Sequence, residues 1–202
     1  IDLLSMYHGL QIQLVFYMNA AVEGMQKKEP QKEIVPAAFF YYHIDDPVVD
    51  AKSGITDEEL SDMQIKSLRP TGGILGDMDI VSALDKGVSE AAEKRVPYKS
   101  DMAKIELKKD GSLSSRSEVV SREDMALMRK YVSRLVRSSG ESMISGRIAV
   151  SPYRMGDRSA CTYCPYHQVC GFDVGLPGYE YRSFTKIDKD EIMESMKRAV
   201  EK

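Results

Sequence analysis

The residues best suited to chemistry are three cysteines, Cys161, Cys164 and Cys170, crowded into ten positions. Cys161-Thr162-Tyr163-Cys164 followed by Cys170 is a C-x2-C-x5-C run. Two thiolates three positions apart turn onto one centre, and a third six residues later closes a corner around it. Soft thiolates select zinc or an iron–sulfur cluster. An odd number so closely spaced makes a poor disulfide framework. Either centre takes a fourth ligand, and the 202 residues contain no fourth cysteine. His167, inside the run, would complete a Cys3His zinc site. Four ligands within ten residues leave the backbone little room, so the stronger expectation is a fourth thiolate outside this sequence. The plain alternative is three buried free cysteines with no metal, which is the expectation for these residues taken by themselves.

A second pattern is Gly9-Leu10-Gln11-Ile12-Gln13-Leu14-Val15-Phe16-Tyr17. Gln13 and Tyr17 stand at i, i+4 on one helix face. An amide that donates and accepts beside a phenol can orient a carboxylate, a lysine or a phosphate. The blander reading is a helix with polar residues near its boundary. A third pattern, Val48-Val49-Asp50-Ala51-Lys52, is the D-x-K half of a metal-dependent nuclease motif. Only two apolar residues precede Asp50, directly after Pro47, and the region is acidic and loop-like, so no catalytic strand is expected there. Asp45 and Asp46 could coordinate a cation, but they also read as solvated acids ending a strand.

Those groups need elements to position them. Residues 3–25 carry apolar side chains at three- and four-residue spacing, which predicts one amphipathic helix closed by Lys27, Lys28 and Pro30. Val35 to Ile44, with Phe39, Phe40, Tyr41 and Tyr42, predicts a buried strand ended by Asp45-Asp46-Pro47. Residues 50–100 are polar and punctuated by Gly and Pro. They predict short helices near 57–67 and 79–93, a break at Gly72-Gly73, and the most mobile part of the chain. Ile105 to Leu113 predicts a hairpin turning at Asp110-Gly111. Ser121 caps a second long helix, with Asp124 at the capping-box position and Met125, Met128, Tyr131, Val132, Leu135 and Val136 as its buried stripe. Residues 148–150 read as a short extended piece and 188–201 as a last helix.

Length and composition set the frame. The 202 residues suit one domain or one and a half. A content of 43% hydrophobic and 29% charged residues excludes a wholly disordered chain. No window approaches the ~18 uninterrupted apolar residues of a transmembrane helix, so no membrane partner is expected. No secretory leader is evident, and a chain opening on Ile1 and directly on a helical pattern reads as a piece of something longer. The net charge of −3 hides an uneven distribution: twelve acids and four bases over 45–93, against eight bases and four acids over 121–160. Arg129, Lys130, Arg134 and Arg137 could lie along a phosphate backbone; the bland reading is a solvated helix face.

Together these segments resemble a known family. Gly9 to Tyr17 resembles the Q-x3-Y motif of the RecB-like branch of the PD-(D/E)-x-K nucleases. Pro36 to Pro47 (PAAFFYYHIDDP) resembles the strand that follows that motif in the B subunit of AddAB-type helicase–nucleases. Ala160 to Asp173 (ACTYCPYHQVCGFD) closely resembles that subunit's C-terminal iron–sulfur segment. The three matches come in the family's order across residues 9–173.

The resemblance implies an α/β fold: a partial RecB-like nuclease core, a mixed sheet flanked by helices, with a helical, cysteine-containing C-terminal tail. Residues 1–118 would be the back half of that core, with an acidic insertion at about 45–100. Residues 119–202 would be the basic amphipathic helix and cysteine tail. It implies a cytoplasmic, ATP-dependent deoxyribonuclease subunit that acts with a helicase–nuclease A subunit on double-stranded DNA ends and single-stranded DNA, using Mg2+. Cys161, Cys164 and Cys170 would be tail ligands of a 4Fe-4S cluster whose fourth cysteine lies far upstream. Gln13 and Tyr17 would stand beside the active site. The family's metal carboxylates and D-Y-K strand precede the Q-x3-Y helix, and the eight residues before Gly9 hold no such strand. These residues alone are therefore expected to be inactive. Two other readings stay open: a zinc-binding module that docks DNA or protein, and a small CRISPR-associated RecB-like nuclease.

Overall fold

The computed structural model describes residues 2–42, 44, 47–50 and 53–201. Asp45, Asp46 and Lys52, named above, lie outside the described residues. The chain divides into two compact units, Gln13–Arg129 and residues 2–12 with 130–201.

Where the periodicity of residues 3–25 predicts one helix, two form: α1 (Leu3–Tyr7) and α2 (Gln13–Lys28). Gly9 takes a φ of +77°, which a glycine adopts at little cost, and the Leu10 and Gln11 amides fold back onto the Ser5 carbonyl. The apolar spacing runs through this turn because both helices bury the same kind of face.

In the first unit α2 packs on β1 (Ala38–Tyr41). There follow α3 (Asp57–Ser67), β2 (Thr71–Leu75), α4 (Met78–Leu84), α5 (Lys86–Lys94), β3 (Tyr98–Lys99), β4 (Glu106–Leu107) and β5 (Val119–Val120). The central sheet runs in the order β1-β2-β5, with β1 antiparallel and β5 parallel to β2. Gly72 and Gly73, expected to break the chain, instead form the middle of β2 opposite Phe40 and Phe39. A Cβ at Gly72 would collide with the Phe39 carbonyl, so the strands meet only because that position has no side chain. The main core is built from the stretch expected to be most mobile and its hairpin: Ile74, Val81, Val88, Ala91, Ala103, Ile105 and Leu107 are buried together.

The helix predicted over 79–93 is two helices divided at Asp85. Its backbone is extended (φ −137°, ψ 109°), and its carboxylate accepts from the Gly87 amide at 2.9 Å to start α5. The same buried carboxylate accepts from Ser100 Oγ at 2.5 Å and from the Tyr98 hydroxyl at 3.2 Å. β3 pairs antiparallel with β4. The hairpin predicted at Asp110-Gly111 closes through a single bridge between Leu107 and Leu113, with Gly111 at φ +81°.

The helix α6 (Arg122–Ile144) starts in the first unit, where the Asp124 amide donates to Ser121 Oγ at 3.0 Å, and continues into the second. The second unit adds β6 (Tyr153–Met155), β7 (Arg158–Ser159), α7 (His167–Cys170), β8 (Arg182–Ser183) and α8 (Lys189–Glu201). Its sheet has the order β7-β6-β8, antiparallel then parallel. α1 packs against α8, with Met6, Ile192 and Met196 buried. Tyr131 is buried in the same unit, donates its hydroxyl to the Tyr7 carbonyl at 2.7 Å, and has its pKa pushed up to about 12 by burial and then by Tyr7. The architecture is mixed α/β.

Candidate functional site

Gln13 and Tyr17 lie together on the exposed face of α2, and Gln13 Nε2 donates to the Tyr17 hydroxyl at 3.0 Å. Val15, Met18 and Asn19 turn inward. The helical period produces this division: residues 13 and 17 are about one turn apart, and the buried positions fall on the far side. The pair offers a phenol oxygen already holding one donor, with its own proton and the rest of the amide available to a ligand. Neither group can generate a nucleophile by itself.

The basic set on α6 is not uniform. Lys130, Arg134 and Arg137 are exposed at i, i+4 and i+7, a single stripe, and none forms an ion pair with a described residue. Arg129 is half-buried, and its Nε donates to Asn19 Oδ1 at 2.8 Å. Asn19 Nδ2 in turn donates to the Arg129 carbonyl at 3.0 Å. Nothing in the sequence singles out Asn19, because an asparagine inside a helix reads as one more polar-face residue.

Cys161 and Cys164 sit in consecutive turns, with the Cys164 amide donating to the Cys161 carbonyl at 3.3 Å, and Cys170 ends α7. All three are free and at least partly exposed. Tyr181 is hydrogen-bonded to Cys161, which first of its causes holds the phenol above the usual tyrosine range, and Arg154 lies over its ring at 5.2 Å. His167 is exposed at the start of α7. The donor set, three soft thiols within one short segment, suits a thiolate-bound centre. The geometry does not close one: among the described residues no group of three or more His, Cys, Asp or Glu is arranged to hold a metal ion. Asp50 is exposed and outside any strand.

Residues 2–171 match the PD-(D/E)XK nuclease superfamily. The chain belongs to that superfamily. Over 198 residues it is 34% identical to the B subunit of the ATP-dependent helicase/deoxyribonuclease of Thermoanaerobacter sp. strain X514, covering 98% of this chain and 16% of the relative. It is 35% identical over 198 residues to the protein of that name from Lachnoclostridium phytofermentans, covering 98% and 17%. Over 201 residues it is 32% identical to that of Bacillus cereus strain ATCC 14579, covering 99% and 17%. The chain thus spans about a sixth of the length of the curated relatives it matches.

A PD-(D/E)XK nuclease implies a divalent metal at the reacting phosphodiester. The described residues do not by themselves supply its carboxylate cage. On α2, Gln13 and Tyr17 form a hydrogen-bonded pair open to solvent. Among the described residues, no helix is long and apolar enough to cross a membrane.

Proposed function

We propose that this chain is the C-terminal part of the nuclease domain of an AddAB-type helicase–exonuclease B subunit. Such a protein would work with an A subunit in the cytoplasm to process double-stranded DNA ends and the single strands they yield for recombinational repair. The observation that carries this reading is the match of nearly the whole chain to helicase/deoxyribonuclease B subunits. The hydrogen-bonded Gln13–Tyr17 pair supports it. Residues 1–118 would complete the nuclease core, and residues 119–202 would form its basic helix and cysteine tail.

When bound, Mg2+ supplies the polarisation of water and the neutralisation of phosphate charge. In this chain Gln13 and Tyr17 would orient the strand or the carboxylates beside it. Lys130, Arg134 and Arg137 would lie along phosphates. Cys161, Cys164 and Cys170 would hold three corners of a 4Fe-4S cluster, with the fourth thiolate and the Mg2+ carboxylates supplied by sequence outside these residues.

The test has two arms. The purified chain is incubated with linear DNA and Mg2+ or Mn2+, and no cutting is expected. Cutting that disappears in Asp50→Ala or Lys52→Ala would assign catalysis to the D-x-K segment and defeat this reading. The natural full-length protein should carry iron and sulfide in cluster proportion, lost in Cys161→Ala. One zinc per chain that depends on His167 would instead favour the interaction-module alternative.

A further inference from the structure

The link between Asn19 and Arg129 joins two helices 110 positions apart in sequence and uses both ends of one amide. The Asn19 side chain donates to the Arg129 main chain at 3.0 Å and accepts from the Arg129 side chain at 2.8 Å. Asn19 is only 7% exposed, low for an asparagine in the middle of a helix. α2 also contacts β1, and its Val15 and Met18 are buried. Apolar packing has no direction of its own and leaves a helix some freedom to roll. Two hydrogen bonds from one amide to one residue remove that freedom, because each requires its own alignment.

Seen down the α2 axis, Asn19 is separated by about 160° from Tyr17 and about 120° from Gln13, so it lies on the side of the helix away from the pair. Fixing Asn19 inward therefore fixes the Gln13–Tyr17 pair outward. We propose that Asn19 and Arg129 form a clamp that sets the roll of α2 and so positions Gln13 and Tyr17 at the reacting strand. On this assignment both are positioning residues, and Arg129 is not one of the phosphate contacts. The proposal rests on the reading of α2 as the active-site helix.

The test uses the complete B subunit with its A subunit, cutting linear DNA. Asn19→Ala and Arg129→Ala should each lower kcat by on the order of tenfold, the scale set by small misplacements of orienting groups. KM for DNA and the salt dependence of binding should stay unchanged. The double variant should be no worse than either single one, since both remove the same link. Arg129→Lys, which lacks the Nε donor, should behave like Arg129→Ala. Asn19→Asp, which still accepts from Arg129, should keep part of the activity. These two conservative variants carry the test where the alanine variants do not fold.

A raised KM with a salt slope lowered by about one in Arg129→Ala would make it a phosphate contact and overturn the clamp. So would additive losses in the double variant, or an unchanged kcat per folded molecule. Gln13→Ala and Tyr17→Phe separate the two readings. If both leave kcat intact, the active-site reading of α2 fails. The clamp is then judged by amide hydrogen exchange over residues 13–28, which should quicken in Asn19→Ala and Arg129→Ala. Unchanged exchange there would overturn it.

Discussion

His8 lies face to face with Phe184, with ring centroids 3.7 Å apart and planes 5° from parallel. Its Nε2 is buried and has no hydrogen-bond partner among the described residues. Burial, and then the charge of Arg182, push its pKa below the ordinary 6.5. In the unfolded chain the imidazole takes up a proton near that ordinary value, whereas in the folded chain it stays neutral to lower pH. The unfolded state therefore binds the proton first, and the contribution is lost as pH falls through about 6.5 toward the folded value. Urea midpoints measured between about pH 8 and 5 should fall across that window. His8→Phe, which keeps a ring on Phe184, should flatten the fall; an unchanged slope would remove His8 as its source. At this scale the sequence shows donor types well. The C-x2-C-x5-C run and the Gln13–Tyr17 spacing are visible as sets of atoms that ligands prefer. That Arg129 turns to Asn19 while Lys130, Arg134 and Arg137 stay exposed depends on partners far along the chain, and no local pattern encodes that.

Among the elements, the junction of α4 and α5 concentrates the most polar work inside a core. Ser100 is fully buried. It donates to Asp85 at 2.5 Å and accepts from the Met102 and Ala103 amides at 3.1 and 3.3 Å. Ser100→Ala leaves a buried carboxylate oxygen and two amides without that partner. It should destabilise the chain by about 1–3 kcal/mol in equilibrium urea unfolding. A change within experimental error would mean that these groups find other partners. The helices α3 and α8 and the start of α6 are legible in the sequence to within a residue or two, whereas α6 runs on to Ile144, well beyond Val136, the last residue of its predicted stripe. The divisions at Gly9 and Asp85 are not legible, since amphipathic spacing continues across both. Gly72-Gly73 misleads for the opposite reason. Paired glycines signal a break when only the chain's own flexibility is considered, and here close approach of a second strand decides.

For the whole molecule, charge is the property with the longest reach. A net charge of −3 does not predict nucleic-acid binding. The exposed Lys130, Arg134 and Arg137 stripe can still track a backbone locally. In the complete subunit, replacing all three with alanine should lower the log–log salt slope of oligonucleotide binding by about 2–3. An unchanged slope would return the stripe to a solvated face. Membership of the nuclease superfamily is readable from three segments in order, whereas the metal cage is not, because the described residues do not contain one. The side-chain-free notch at Gly72 bears on how the chain reaches this fold at all. Sliding β2 one step along β1 would drive Thr71 into the Phe39 carbonyl, and sliding it the other way would swap the faces of Ile74 and Leu75, taking Ile74 out of the core cluster it shares with Val81 and Val88. The seam is thus keyed: misaligned pairings are rejected by collision or by lost burial, and the strand closes in a single frame.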